Sequence, residues 1–485
     1  MNATVLRRSA ARATLVAGAA ILAASAFAAD KPATPQGVQT LQALFDRFLW
    51  ALPSGMVSVR PDGQGYVVSA DLSAINDLIE KAGADLRYDP VTLVYKLYEQ
   101  DDGKWRVVQD SLPRIVAHAK DASSAFEIDN YRQTIVIDPA LAWWTSGDAS
   151  ADKGTLATEA PKVEQTVDFG PLKGDYATTV NADGTVSSTV RQHISSIDFN
   201  VSTTDKDGKS VNSSGRLENA AFNVGVDRLN SRRLFDVVSL LSEHRDDLAQ
   251  HEAELKDLLR PLASPGLRFV EGGEASKLLV GSPLGAIALS SAKFGLGLSN
   301  AGPDSAVDAT VSAEGLSLPV GLAPPNAAEL TPSKVDLAFT LKGIDFAAAA
   351  GQAIDSLHLG GPGPAISDAD SAKISAALLG AGPVKIVLAP SHVVAPAIDS
   401  DVQGEVTYAA GKTSGAVTLR VRDFDKTMNA IRALGPEIAA KSLPMVAMAK
   451  GLAKTESDGA LSWLIEVGDD RSIKVNGVPL GKAPQ

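Results

Sequence analysis

The chain has 485 residues, a formal net charge of -12 and no cysteine. The absence of cysteine excludes disulfides, cysteine-ligated zinc sites, thiol nucleophiles and a lipid-modified amino-terminal cysteine. The excess of acidic residues argues against nucleic acid as a partner, because phosphate contacts need clustered Lys and Arg, and against general attraction to anionic lipid.

The first 28 residues carry the pattern of a secretory signal peptide. Three arginines between positions 7 and 12 precede a short apolar run over 13–24, and Ala26 and Ala28 are small residues at the positions that signal peptidase reads. The sequence therefore predicts cleavage after Ala28 and export to the periplasm. No transmembrane segment is predicted in the mature chain, because no later apolar stretch reaches about 20 residues.

Two amphipathic helices are predicted in the first half of the chain. Apolar residues from Val38 to Leu52 recur at the spacing of one helix face. Leucines recur every seven residues from Leu234 to Leu255, which predicts a single long helix over 232–260. Pro261 is expected to stop this helix.

Strands are predicted through most of the remaining chain. Ile197, Phe199 and Val201 alternate with polar residues, which is the period of a half-buried strand. Residues 164–226 show no helical pattern, so an antiparallel meander with one covered face is predicted there. Asp-Gly pairs predict tight hairpin turns, because both residues tolerate positive φ. The pairs are Asp62-Gly63, Asp102-Gly103, Asp183-Gly184, Asp207-Gly208 and Asp458-Gly459.

A weak internal repeat has the order strand, Asp plus an apolar residue, then helix. It occurs at Asp71, Asp345 and Asp423, and each Asp is expected to accept backbone N–H bonds at the helix start. Capping explains these residues without any catalytic role.

The predicted fold class is α+β and β-dominated, with long antiparallel sheets and amphipathic helices packed on one face. A change in composition near residue 262 places a boundary there. The predicted organisation is a signal peptide over 1–28, an N-terminal β-rich lobe over 29–262 that ends in the 232–260 helix, and a C-terminal β-rich lobe over 263–485 with the strand–Asp–helix units.

His244 and His251 are the two histidines whose spacing suggests a shared site on one predicted helix. Seven residues on one helix place them on the same face but about 10 Å apart, which is too far for one metal ion to bridge. Zinc-binding helices use closer spacing. The two residues are therefore interpreted as helix-packing residues, with a pH-sensitive contact as the alternative, because His changes charge near neutrality.

Other motifs give no catalytic prediction. Asp205 and Asp207 resemble part of a calcium loop, but the bidentate Glu is missing, which favours a hairpin turn. Ser290 and Lys293 have Ser-x-x-Lys spacing without the companion elements in the required order. The Trp143-Trp144 pair is interpreted as a core plug or the cover of a sheet edge, with a ligand platform as the alternative. No catalytic, cofactor-binding or metal-binding residue is predicted, no cofactor is expected, and the ligand-binding residues stay unknown.

The C-terminal half resembles an uncharacterised family of exported Gram-negative proteins with a domain of unknown function. The segments that carry the resemblance are 330–341, 415–424, 459–467 and 473–477, which repeat strand, Asp-apolar, helix and a strand that ends in Asn-Gly. The general sequence pattern of this half is also similar to that of envelope proteins built on long β-sheets that hold or pass lipids. The resemblance implies periplasmic residence and an extended β architecture, and it assigns no catalytic residue.

The expected function is a non-enzymatic periplasmic envelope protein that binds a lipid-like or other apolar ligand between sheet and helices. The alternative is a structural or scaffold protein of the cell envelope without a small ligand, and the third is an unrecognised hydrolase. Expected partners are an apolar ligand and other envelope proteins, and no nucleic acid.

Overall fold

The computed structural model confirms a β-dominated chain without cysteine, with 52% of its residues in strands and 25% in helices. The predicted signal peptide, residues 1–28, lies outside the described residues. Among the described helices, none combines the length and the apolar character needed to cross a membrane. The structure describes residues 31–49, 52–205, 207–282, 285–319, 322, 326–360, 364–380, 382–409 and 411–482.

The chain packs into two compact units that are discontinuous in sequence. The described parts of 213–222, 265–350 and 372–485 form the C-terminal unit, and the other described residues form the N-terminal unit. The organisation into lobes over 29–262 and 263–485 stays a prediction.

The N-terminal unit is an antiparallel array in which strands that follow one another in sequence are often not paired. Hydrogen-bonded neighbours follow the order β1-β2-β4-β5-β8-β9-β12-β13 and, from β13 onward, β11-β10-β7-β6-β3. The strands are β1 Val57–Asp62, β2 Gly65–Asp71, β3 Leu86–Tyr88, β4 Thr92–Glu99, β5 Trp105–Gln109, β6 Ile115–Ala119, β7 Ala122–Asp129, β8 Arg132–Asp138, β9 Trp143–Ala151, β10 Lys153–Ala160, β11 Val163–Phe169, β12 Leu172–Val180 and β13 Val186–Thr204.

Strand β13 joins two halves of this array. Its residues 186–194 pair with β12, and its residues 197–203 pair with β11. The strands predicted over 164–226 are confirmed, and the last of them is β14, Ser210–Leu229. The prediction that they form a simple meander is wrong, because β11 and β12 each pair with β13 and not with one another. The five predicted Asp-Gly sites are confirmed as turns, and each of their glycines has a positive φ between 62° and 84°.

The predicted first helix is confirmed as α1, Pro35–Phe48. The Thr34 side chain caps it by accepting a hydrogen bond from the Gly37 N–H at 3.0 Å. Leu41 and Phe45, one turn apart, are buried in one apolar cluster with residues of β1, β2, β4, β5 and β8. In this unit a helix of the chain therefore covers apolar strand residues. A short helix α2, Asn76–Lys81, follows β2 and a 3₁₀ turn.

The prediction of one helix over 232–260 is wrong. The segment forms two helices, α3 Ser231–Glu243 and α4 Glu252–Ala263, separated by a turn and the 3₁₀ segment Leu248–His251. Pro261 lies inside the last turn of α4 and does not end it. The leucine repeat survives the break, because leucines of both helices pack into one cluster around Val237, Leu240 and Leu255. A shared apolar face is thus compatible with two packed helices as well as with one long helix.

The C-terminal unit is an antiparallel meander. Each strand from β15 to β21 pairs with the next, β21 then pairs with β23, and β23 pairs with β22 and β24. The last pair is β24 with β25. The strands are β15 Arg268–Ser282, β16 Gly285–Ser299, β17 Ser305–Glu314, β18 Lys334–Ile344, β19 Val384–Ala395, β20 Ile398–Ala409, β21 Lys412–Arg422, β22 Lys454–Thr455, β23 Leu461–Val467, β24 Ser472–Val475 and β25 Val478–Lys482.

Four helices interrupt this second set of strands. They are α5 Phe346–Asp355, α6 Asp368–Leu379, α7 Phe424–Ala433 and α8 Pro436–Leu452. The predicted capping is confirmed at two of the three repeat sites. Asp71 accepts from the Ser73 N–H at 2.9 Å, and Asp345 accepts from the Ala348 N–H at 2.8 Å. Asp423 instead has a left-handed backbone, with φ 48°, and makes no side-chain cap.

Candidate ligand-binding surface

Consecutive strands of the C-terminal unit place large apolar side chains on one face of their sheet. Phe294 of β16 is paired with Val311 of β17, which is paired in turn with Leu337 of β18. Paired residues share a face, and so do residues two apart on one strand. Leu296 and Phe339 therefore lie on the same face as this row.

The same face extends to the strands on either side. Phe269 of β15 is paired with Leu298, two residues beyond Leu296, and Ile386 of β19 is paired with Leu341, two residues beyond Phe339. We call the large, solvent-accessible side chains of these five strands the exposed apolar face. Its members are Phe269, Phe294, Leu296, Val311, Leu337, Phe339 and Ile386, with exposed fractions from 36% to 52%.

A glycine underlies part of the exposed apolar face. A Cβ added to Gly273 would lie 2.5 Å from Cε1 of Phe294 and 3.1 Å from Cδ1 of Phe222. Both rings therefore lie against the backbone of this glycine. Phe222 belongs to β14 and is 41% exposed, so its ring continues the apolar surface beyond β15.

The opposite end of this face is covered by helices. Val402 of β20 is paired with Leu419 of β21, which is paired with Trp463 of β23. Val406, four residues from Val402, is paired with Ile386, so the row lies on the same side of the sheet as the exposed apolar face.

Trp463 is the anchor of this covered end. Only 6% of the residue is exposed, and its ring centroid lies 5.5 Å from that of Phe424 on α7. Its indole N–H donates a 2.7 Å hydrogen bond to the Ala449 carbonyl on α8. The same sheet face is thus apolar and covered at β21–β23, but apolar and accessible at β15–β19.

The other face of the sheet is polar, with ion pairs between neighbouring strands. Lys293 Nζ lies 2.6 Å from Glu274, and Lys385 Nζ lies 2.6 Å from Glu405. The hydrogen bond to Glu274 raises the pKa of Lys293, and the hydrogen bond from Lys385 lowers the pKa of Glu405. These inter-strand ion pairs suit contact of this face with water.

A denser charge cluster lies on the polar face across β19, β20 and β21. Arg422 lies 2.6 Å from Asp399 and also pairs with Asp401, whose carboxylate lies 2.7 Å from Nδ1 of His392. Burial acts to raise the pKa of Asp401, but the hydrogen bonds from His392 and Arg422 hold it below its usual value. The mutual pairing of these groups gives the cluster a structural role.

A small apolar pocket of about 320 Å³ lies in the N-terminal unit beside α1. Leu41, Leu44, Trp105 and Pro139 supply its apolar lining, and Arg47 contributes a charged side chain. This volume is near the lower limit of about 300 Å³ for small-molecule sites. The pocket is therefore a weaker candidate for a large apolar ligand than the exposed apolar face.

The structure corrects the predicted separation of His244 and His251. Their ring centroids lie 3.4 Å apart and the rings are stacked, because the chain turns between α3 and α4. Asp247 lies beside both rings, with Oδ1 3.3 Å from His244 Nδ1 and Oδ2 3.6 Å from His251 Nε2. The expectation that these residues lie two helical turns apart is therefore wrong.

The calcium-loop alternative is resolved by the local hydrogen bonds. Asp205 Oδ1 accepts from the backbone N–H groups of Asp207 and Lys209, at 2.8 and 2.9 Å, within the β13–β14 hairpin. Ser290 and Lys293 lie three positions apart on β16 and hence point to opposite faces of the sheet. Neither motif brings together the groups that its chemistry requires.

The tryptophan pair has a packing role, as interpreted from the sequence. The rings of Trp143 and Trp144 stack with centroids 6.0 Å apart, and the Trp143 indole N–H donates to the Ser188 hydroxyl at 2.7 Å. Trp144 packs against the apolar cluster beneath α1 and meets Tyr176 edge-on, with 5.9 Å between ring centroids.

No ligand-binding residue is predicted from the sequence, although the sequence contains a signal for the exposed apolar face. The alternation of Val335, Leu337, Phe339 and Leu341 with polar residues predicts one apolar face for β18. Periodicity identifies the face but not what covers it, because coverage depends on the position of other elements.

Comparisons with protein-family models, with curated proteins and with solved structures each found no match for this chain. The resemblance of the C-terminal half to an exported Gram-negative family therefore stays an expectation.

Proposed function

We propose that this chain is a non-enzymatic protein of the periplasm that binds a lipid-like ligand on the exposed apolar face. The observation that carries the proposal is the row of seven large apolar side chains on five paired strands, each more than one third accessible. Contiguous apolar surface of this kind marks interaction sites in water-soluble proteins.

The dimensions of the face suit an acyl chain. Five strands have four spacings of about 4.8 Å, which gives about 19 Å across the sheet. Each methylene removed from water contributes about 0.8 kcal/mol, so a fatty acyl chain along the row gains affinity from burial alone. The polar face, with its ion pairs, stays in solvent.

The helices predicted to pack on one sheet face have a role at the proposed ligand site. In this proposal α7 and α8, which contact Trp463, border the ligand site on the side of β23. The periplasmic location rests on the predicted signal peptide over 1–28 and its cleavage after Ala28.

The test measures lipid occupancy and acyl-chain binding of the exported protein. Protein purified from the periplasm without harsh detergent is extracted, and the extract is examined by mass spectrometry for lipid in near-stoichiometric amounts. Binding of the fluorescent fatty acid cis-parinaric acid is then compared between wild type and a double variant, Phe294→Gln with Phe339→Gln. We expect at least a tenfold loss of affinity in the variant, because two apolar contacts become polar.

The matched control is Thr310→Gln, on the polar face of β17. Thr310 is exposed and lies on the strand between those of Phe294 and Phe339, so this variant adds the same side chain to the opposite face of the same sheet region. Equal affinities for all three proteins, together with an extract free of lipid, would reject the proposal and favour the scaffold alternative.

A further inference from the structure

A cluster of metal-ligating groups lies in the N-terminal unit, at the turn that separates α3 from α4. Helix α3 ends at Glu243, and His244 leaves the helix with φ -114° and ψ 28°. After Asp247 comes one 3₁₀ segment that ends at His251. This change of direction places both imidazoles and one carboxylate side by side, which a continuous helix would not do.

The separations of the donor atoms suit a single small cation. The distance from His244 Nδ1 to Asp247 Oδ1 is 3.3 Å, and the distance from His251 Nε2 to Asp247 Oδ2 is 3.6 Å. One ligand atom from each of the three residues lies within 4.8 Å of the others. Tetrahedral zinc with bonds of about 2.0–2.1 Å holds its ligand atoms about 3.3 Å apart.

A neighbouring carboxylate orients one of the imidazoles. His251 Nδ1 lies 3.3 Å from Glu254 Oε2, one turn further along the chain. A proton on Nδ1 that is donated to Glu254 leaves Nε2 unprotonated on the side of Asp247, where its lone pair is available to a cation. Carboxylates that hold the second ring nitrogen of a ligating histidine are typical of zinc sites.

The cluster is accessible and rests on a packed base. The side chains of His244, Asp247 and His251 are 30%, 44% and 27% exposed, so an ion can reach them from solvent. Beneath them, Leu240 and Leu255 are buried in the apolar cluster that α3 and α4 share. The relative position of the two helices is therefore fixed by burial. The two imidazole rings are stacked with centroids 3.4 Å apart, so binding of a common ion requires them to rotate out of this stack.

We propose that His244, Asp247 and His251 form a binding site for a divalent transition-metal ion of the zinc class. Two imidazole nitrogens and one carboxylate oxygen are ligands that zinc accepts, and three protein ligands leave a fourth position for water. The site is independent of the exposed apolar face, and either one can be present without the other.

The test is zinc titration of the mature protein, produced without a polyhistidine tag and stripped with a chelator. Isothermal calorimetry is expected to give one zinc ion per chain, and zinc is expected to raise the melting temperature. His251→Ala and Asp247→Asn are each expected to weaken zinc binding at least tenfold and to abolish the thermal shift. Glu254→Gln, which changes an orienting group, is expected to weaken binding by about tenfold.

The control is His392→Ala, which removes a histidine beside Asp401 on the polar sheet face. It is expected to bind zinc as the wild type does. The melting temperatures of the zinc-free variants establish that each is folded. Absence of a one-to-one binding event in the wild type, or unchanged affinity in both His251→Ala and Asp247→Asn, would overturn the proposal.

Discussion

The two ends of the C-terminal sheet carry similar apolar side chains on the same face but differ in what lies on them. At the β23 end, Trp463 packs against Phe424 and bonds to α8, and 6% of it is exposed. At the β15–β19 end, Phe294 and Phe339 are 44% and 47% exposed. An apolar strand face therefore stabilises the fold where the chain supplies a helix, and it is available for binding where it is accessible.

The largest expected difference is in the free energy of unfolding. Trp463→Ala removes a buried aromatic side chain and should destabilise the unit by about 3–5 kcal/mol. Phe339→Ala removes a side chain that is already half in solvent and should cost about 1 kcal/mol or less. Hydrogen exchange of peptides from β18 and β23, read by mass spectrometry, measures both effects. Equal costs would show that the exposed apolar face is part of the core.

Two glycines on the apolar side of the sheet, Gly404 and Gly273, show whether a tightly packed region tolerates an added methyl group less well than an accessible one. A Cβ on Gly404 would lie 2.3 Å from the Ala416 carbonyl oxygen and 2.6 Å from Val417 Cα, so backbone would have to move. A Cβ on Gly273 meets the Phe294 ring, which has solvent to move into. We expect Gly404→Ala to destabilise by about 1–3 kcal/mol and Gly273→Ala by less than about 1 kcal/mol.

Thermal denaturation of the two glycine variants checks this order. A larger loss of melting temperature in Gly273→Ala than in Gly404→Ala would contradict it, because it would mean that Phe294 is held in place.

The smallest expected change in the free energy of unfolding concerns the turn between β23 and β24, at the covered end of the sheet. The hydroxyl of Ser472 donates a hydrogen bond to the Asp470 carboxylate, and the backbone N–H of Ser472 donates a second one. Together with the nearby Lys482, these hydrogen bonds lower the pKa of Asp470 to about 2. Because the folded pKa lies below the usual 3.8, the stabilisation is present above about pH 4 and is lost as the pH falls toward 2.

Urea unfolding of wild type and Asp470→Asn at pH 6 and at pH 2.5 measures this dependence. The wild type should be more stable at pH 6, and the difference should shrink at pH 2.5. Asp469→Asn, in the same turn, is the matched control for loss of one negative charge. A constant difference at both pH values would rule out a role for Asp470 ionisation.

Local chemistry made much of the fold predictable from sequence. The Asp-Gly turns, helix α1 and the strands over 164–226 follow from backbone preferences and side-chain periods, which act within a few residues. The break near Asp247 was missed because the leucine repeat is satisfied equally by two packed helices. Three of the four residues at this break, His244, Asp246 and Asp247, have low helix propensity, and this local signal opposed the leucine repeat.

The candidate sites could not be predicted in the same way. Alternation indicated that Leu337 and Phe339 share a face, but exposure of that face depends on where α7 and α8 pack. His244 and His251 come together only because the chain turns between two helices. Both features depend on contacts between elements, which the sequence spacing does not encode.

The sharing of β13 by two neighbouring strands has a consequence for alignment. Since residues 186–194 pair with β12 and residues 197–203 pair with β11, a slip of one residue along β13 would misalign both ladders at once. Such a slip would also turn every inward side chain outward. The single long strand therefore fixes the strand register of both halves of the N-terminal array relative to one another.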